Sequence, residues 1–162
     1  MHSAMFLAEL DLEMPPSRRL LERVPTDKGT WKPHEKSFPL GHLAKLVATM
    51  PGWITKMAHG TDIDLMGGAG YSFETTEHLL ELFDRHVAEA RQALADFTDA
   101  DYSLPWSLRR GEMVIFTEER GKVIRQTINH FCHHRGQLTV YLRLLDVPIP
   151  SIYGPTADEK WS

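Results

Sequence analysis

Apolar residues recur every three or four positions along most of the chain, the repeat that lines one face of an α-helix. The first stripe, Phe6, Leu7, Leu10, Leu20, Leu21 and Val24, predicts a helix over about Met5 to Val24. Pro15 and Pro16 fall inside it. Each lacks an N–H donor, so the pattern predicts either a kink or a helix restarting near Pro16, with Pro25 as the stop. Leu43, Leu46, Val47, Met50, Ile54 and Met57 mark a second helix from about Leu40 to Ala58, bent but not broken at Pro51 and Gly52. Glycines at 60, 67, 68 and 70 make the stretch up to Ser72 a loop. A third helix starts at Thr75 or Thr76, an N-cap residue type, and runs to about Phe97 on Leu79, Leu80, Phe83, Val87, Ala90 and Leu94.

Residues Thr98 to Phe116 predict mostly connection; Glu112 to Phe116 has extended character but no evident partner strand. A fourth helix is expected over Thr117 to Asp146. Beyond it, Pro148, Pro150 and Pro155 predict an extended tail lying against the helices. The expected architecture is all-α: one domain over residues 1–162, an antiparallel four-helix bundle with an extended Pro-rich C-terminal tail.

A chain of 162 residues suits one domain with a self-sufficient core. Its 18 Lys and Arg against 22 Asp and Glu leave a formal charge of −4, which argues against a nucleic-acid binder working through a basic face. Cys132 is the single cysteine, so no internal disulfide framework and no zinc site built on paired thiolates is available. No apolar run reaches membrane-spanning length, and the first residues lack the pattern of a secretory signal. The expectation is a cytoplasmic protein with no membrane and no nucleic-acid partner.

Three of the nine histidines fall within five positions, in Asn129-His130-Phe131-Cys132-His133-His134-Arg135-Gly136-Gln137. On a helical wheel with His130 at zero, His134 stands at about 40°, Gln137 at about 340° and Tyr141 at about 20°, beside an apolar arc from about 60° to 160°. Two imidazoles four residues apart can aim at one point, the geometry of a shared divalent metal such as zinc or nickel. The same spacing also serves a hydrogen-bonded pair at the edge of a core. Gln137 and Tyr141, further along the same face, are candidates to hydrogen-bond a ligand. His133, near 300°, is a neighbour rather than a third ligand, and Cys132, near 200°, faces away. Trp53, Trp106 and Tyr153 either line a cavity beside the pair or belong to the core. Arg135 and Arg143 are expected on or flanking the outer arc, in a dimer contact or a tail salt bridge.

The stretch Asn129-His130, His133-His134-Arg135-Gly136-Gln137-Leu138 and Tyr141-Leu142-Arg143-Leu144-Leu145, with Val147-Pro148 and Tyr153-Gly154-Pro155, resembles the DinB/YfiT-like metalloprotein superfamily. Arg18-Arg19-Leu20-Leu21-Glu22-Arg23-Val24-Pro25, Pro33-His34-Glu35-Lys36-Ser37 and Pro51-Gly52-Trp53 resemble it too, so the likeness covers almost the whole chain. The resemblance implies a four-helix bundle, commonly a homodimer, with a divalent metal on three histidines. Two of these fall at His130 and His134. The third, from the second helix, falls at Leu46, which cannot ligate. His42, one turn earlier, is either a displaced third ligand or a helix-start histidine; His34, His59 and His86 are weaker candidates, and Asp158 and Glu159 are tail carboxylates within the same question.

Members of the superfamily include metal-dependent transferases of low-molecular-weight thiols, in which the metal holds the thiol as its thiolate. Two readings follow. One is a divalent-metal-binding protein whose enzymatic form is such a thiol S-transferase, acting on a small-molecule substrate. The other is a metal-free bundle, its site lost at Leu46, that binds a small ligand or a protein partner.

Overall fold

The computed structural model describes residues 2–67 and 70–160; Gly68 of the expected loop and the end of the expected tail, residues 161–162, lie outside them. Helix α1 is His2–Leu21, α2 Leu40–His59 and α3 Thr76–Ala95, each of 20 residues, and α5 is Arg120–Leu144, of 25 residues. A four-residue helix, α4 (Asp99–Tyr102), separates α3 from the strands that precede α5. Single 3-10 turns lie at Thr26–Lys28 and Leu65–Gly67.

The chain is mostly helical, and the helical repeat places its stripes correctly. Leu10, Leu20 and Leu21 of α1, Leu43 and Met50 of α2, Phe83 and Leu94 of α3, and Leu138 and Leu142 of α5 are all 1% exposed or less. They meet where α2 packs on α3 and α5, and α1 packs on α3 and α5. Thr75 caps α3, its hydroxyl accepting from the His78 N–H at 3.2 Å. Helix α1 runs continuously through Pro15 and Pro16, with neither a break nor a restart. The carbonyls that these prolines leave without N–H partners belong to Asp11 and Leu12, both exposed, so water can take the place of the missing donors. Helix α2 likewise continues through Pro51.

The expectation of an all-α chain is corrected by a three-stranded sheet, order β1-β2-β3. Its strands are β1 (Asp62–Asp64), β2 (Pro105–Arg110) and β3 (Met113–Glu119). Strand β1 runs parallel to β2, with Ile63 opposite Leu108, and β2 pairs antiparallel with β3, with Ser107 opposite Thr117. The stretch from Glu112 to Phe116 therefore has its partner strand inside what reads as connection. Gly111, at φ +61°, turns the hairpin in a conformation that favours glycine. Trp106, 1% exposed, carries the hairpin into the core, its ring 6.3 Å from that of Phe116. Because Thr117, Glu118 and Glu119 pair with β2, α5 starts at Arg120 rather than at Thr117. The Arg120 guanidinium then donates to the carbonyls of Ala58 and Gly60 at 3.2 and 3.0 Å, tying the start of α5 to the end of α2.

After α5 the tail carries neither helix nor strand through residue 160 and is held by charge. Arg143 pairs with Asp158, and Arg19 and Arg23 pair with Glu159. The two carboxylates also accept from backbone N–H groups of the tail itself, Asp158 from Ile149 at 2.8 Å and Glu159 from Ser151 at 2.9 Å.

Candidate functional site

Helix α5 places His130 and His134 one turn apart, and their rings converge. The two Nε2 atoms stand 2.8 Å apart and the ring centroids 4.5 Å apart. His134 is 9% exposed, whereas His130 lies on the open side of the pair. Nδ1 of His134 is 2.8 Å from Oε1 of Gln137, three residues on. With that amide oxygen accepting from Nδ1–H, Nε2 of His134 carries the lone pair and accepts from Nε2–H of His130. Burial, and then the neighbouring imidazoles of His134 and His133, push the His130 pKa down, which favours its neutral ring.

The surroundings are aromatic. Trp53 of α2 lies 6.2 Å from the His130 ring, and Tyr141 meets Trp31 edge-on at 5.9 Å. His133 is exposed, its ring edge-on to His134 at 5.1 Å. His42, in the first turn of α2, is half-buried between two rings: parallel to Phe38 at 4.3 Å and tilted against Tyr71 at 4.7 Å. Burial lowers its pKa, and the neighbouring His134 lowers it further. Leu46, one turn on from His42, is buried at 6% exposure, a leucine at the position where the family resemblance expects the third ligand.

A zinc–imidazole bond is about 2.0–2.1 Å, so two nitrogens on one tetrahedral ion stand about 3.3 Å apart. The observed pair, 2.8 Å apart, is about half an ångström closer than that. The donor set fits half of a divalent-metal site. Among the described residues no group of three or more His, Cys, Asp or Glu side chains is gathered around one point. His34 lies in an exposed turn, where Nδ1 accepts from the Lys36 N–H at 3.2 Å. His59 ends α2 in solvent, and His86 faces the Ala48 carbonyl at 3.3 Å.

Other expected members of the site are elsewhere. Asp158 and Glu159 are engaged by Arg143, Arg19 and Arg23 and do not fold over the histidines. Trp106 belongs to the hairpin. Arg135 is not on the outer arc: it is 2% exposed and bonded to Glu13 of α1 at 2.5 Å. Its guanidinium also donates to the Ser17 hydroxyl at 2.9 Å and to Oη of Tyr153 at 2.6 Å. Oη of Tyr153 in turn donates to the Glu13 carboxylate at 2.8 Å. Cys132 is half-buried 3.7 Å from Tyr153 Oη, and burial pushes its thiol pKa up, so it is a protonated thiol rather than a nucleophile. The buried ion pair had a sequence signal: Glu13 and Ser17 fall at three- and four-residue spacings between Leu10 and Leu20, inside the apolar stripe of α1.

The DinB family profile matches residues 17–161. The chain belongs to the DinB family. Its fold is similar to that of a DinB-like protein, YjoA, from Bacillus subtilis, with a TM-score of 0.72 and 16% identity over 98% of this chain and 99% of that one. It is also similar to a DinB-like protein from Bacillus cereus ATCC 10987, with a TM-score of 0.70 and 19% identity over 91% and 95% of the two chains. In sequence, 42 residues are 45% identical to the uncharacterized protein YrdA of Bacillus subtilis (strain 168). That match spans only 26% of this chain and 25% of YrdA.

Proposed function

We propose that this DinB-family protein binds a divalent metal, zinc or nickel, through Nε2 of His130 and Nε2 of His134. The observation that carries the reading is the convergence of those two nitrogens at 2.8 Å, with the far side of His134 already tied to Gln137. A histidine whose second nitrogen donates to an oxygen presents its other nitrogen as a lone pair, the orientation a metal needs. In this chain Gln137 supplies that oxygen. The hydrogen bond shared by the two Nε2 atoms is what a cation would replace, and a neutral His130 gives up its proton tautomer without first losing a charge. His42, on α2, is the candidate for a third arm. Tyr141 and Trp53 border the site.

When bound, such a metal supplies Lewis acidity and lowers the pKa of a coordinated thiol or water. Transfer of a low-molecular-weight thiol to a small-molecule substrate is the enzymatic form of this reading, with the protein a cytoplasmic homodimer. Trp53, its ring centroid 6.2 Å from that of His130, covers one side of the site.

Metal analysis of protein purified without a nickel column, repeated on the His130→Ala/His134→Ala double variant, tests the reading. About one equivalent in the wild type and none in the variant is expected. Equal metal content in the two overturns it. A second reading, a metal-free bundle that binds a small apolar ligand or a partner, is favoured by the hydrocarbon of Leu46 where a third ligand would stand. Stoichiometric metal in the wild type counts against it.

A further inference from the structure

We propose that strand β3 is the surface on which a second copy of this chain pairs, edge to edge and antiparallel, forming a two-fold dimer with one continuous sheet. This gives the homodimer of the reading above an interface; it rests on that reading for the oligomeric state alone and needs no metal.

The sheet has two edges, and they are built differently. Strand β1 is three residues long and carries Asp62 and Asp64, the short and charged kind of edge that resists further pairing. Strand β3 is seven residues long, and its first five, Met113 to Thr117, include neither a charge nor a proline. Ile115 is an extra residue between the partners of Leu108 and Arg109, a bulge that adds twist to this edge but no charge. Ser107 gives its N–H to the Thr61 carbonyl at 2.9 Å, towards β1. Its partner on β3, Thr117, therefore turns its own N–H and carbonyl outward onto the open edge, as the alternation of an antiparallel ladder requires. Two residues on, the Glu119 N–H is taken by the Glu118 carboxylate at 2.9 Å.

The side chains of this edge are exposed on both faces. Met113, Val114, Ile115 and Phe116 are between 40% and 58% exposed, four apolar residues in succession where a half-buried strand would alternate with polar ones. Met66, also exposed, continues the patch round the hairpin tip, since a Cβ on Gly111 would lie 3.9 Å from its side chain. Together these five residues offer on the order of 500 Å² of surface, near the upper end of what a monomer displays and most of the roughly 800 Å² per partner in a standard interface.

A second copy fits such an edge by symmetry. A two-fold axis near Ile115 lays the apolar run of each strand along that of the other, Val114 beside Phe116, and covers both open edges in one contact. What then remains at the two ends of the joined sheet is β1, whose aspartates stop further growth. The run from Met113 to Thr117 offers no charge to a nucleic acid or to a charged peptide.

Sedimentation velocity of the full chain, from about 1 to about 100 µM, tests the proposal. Wild type is expected at twice the 18.5 kDa of one chain. Val114→Lys and Ile115→Lys, both at exposed positions, are expected to raise the dimer dissociation constant at least about 30-fold. Leu144→Lys, at an equally exposed apolar position on α5, is expected to leave it unchanged. Circular dichroism melts establish that each variant is folded. In wild type itself, the Thr117 amide is expected to exchange hydrogen more slowly in concentrated than in dilute samples. The His130→Ala/His134→Ala variant is expected to stay dimeric, so loss of metal and loss of the dimer are read separately. Monomeric wild type throughout overturns both the interface and the homodimer. A dimer that survives both β3 lysines, or whose Thr117 exchange ignores concentration, uses another face and overturns the interface alone. Monomeric wild type that sediments with phosphatidylcholine vesicles puts a lipid surface on this edge instead and overturns the proposal.

Discussion

Arg135 and Glu13, 122 residues apart in the chain, form an ion pair at 2.5 Å with side chains 2% and 5% exposed. It joins α5 to α1 through the core, and Tyr153 of the tail closes over it, accepting from Arg135 at 2.6 Å and donating to Glu13 at 2.8 Å. The tail is therefore fastened to a buried charge pair as well as to surface arginines.

Removing one partner strands the other charge in the core. Arg135→Ala or Glu13→Ala is expected to destabilise by about 3–5 kcal/mol, a Tm drop on the order of 10 °C for a chain of this size. Replacing both with apolar residues of similar volume, Arg135→Met with Glu13→Leu, should recover most of the loss. Urea unfolding of the four proteins checks this; a single variant within 1 kcal/mol of wild type contradicts it.

Two helical glycines should respond to alanine with opposite signs. At Gly136, in the middle of α5, a Cβ meets nothing within 4 Å, so Gly136→Ala should stabilise by about 0.5–1 kcal/mol through helix propensity alone. At Gly121, in the first turn of the same helix, a Cβ would fall 2.1 Å from the Tyr102 ring, so Gly121→Ala should destabilise. Melting curves of the two variants suffice; equal shifts would contradict the packing of α4 on α5.

The tail contacts carry a pH dependence whose sign is set. The Ser151 N–H, with Arg19 and Arg23, brings the Glu159 pKa down to about 2, and Arg143 with the Ile149 N–H lowers that of Asp158. A carboxyl lowered on folding stabilises fully above its unfolded pKa, and the contribution is lost as pH falls through the folded value. Tail docking should be intact at pH 6 and weaken from about pH 4.5 towards 2. The Ser151 and Ile149 amide resonances should report midpoints below the usual carboxylate range, and Glu159→Gln should abolish the titration at Ser151. Midpoints above 4 would exclude the pairing.

Gln137 makes its own prediction. Under the proposed metal reading, Gln137→Ala leaves both Nε2 donors in place but frees the His134 ring to turn, so zinc affinity should fall about 10–100-fold while stability barely changes. Unchanged affinity would remove Gln137 from the site.

Much of the architecture was legible because an amphipathic repeat is local. The stripes of α1, α2, α3 and α5 were readable from three- and four-residue spacing, as was the shared face of His130 and His134. The hairpin was not: β2 offers only Trp106 and Leu108 as alternating apolar residues between Pro105 and two arginines, too short a pattern to name β3 as its partner. Arg135 was legible in principle. It stands about 140° from His130, inside the apolar arc, and Glu13 interrupts the α1 stripe. What hid the pair is that each charge, taken alone, belongs at a surface.

The sequence by itself determined which residues bury along each helix and that two imidazoles share a side of the last one, since a helical turn relates positions a few residues apart. Only the tertiary structure decided that Arg135 meets Glu13, that Tyr153 seals them, and that Phe38 and Tyr71 enclose His42. Those meetings join distant elements through packing and buried charge, and no local periodicity encodes where one helix comes to rest against another.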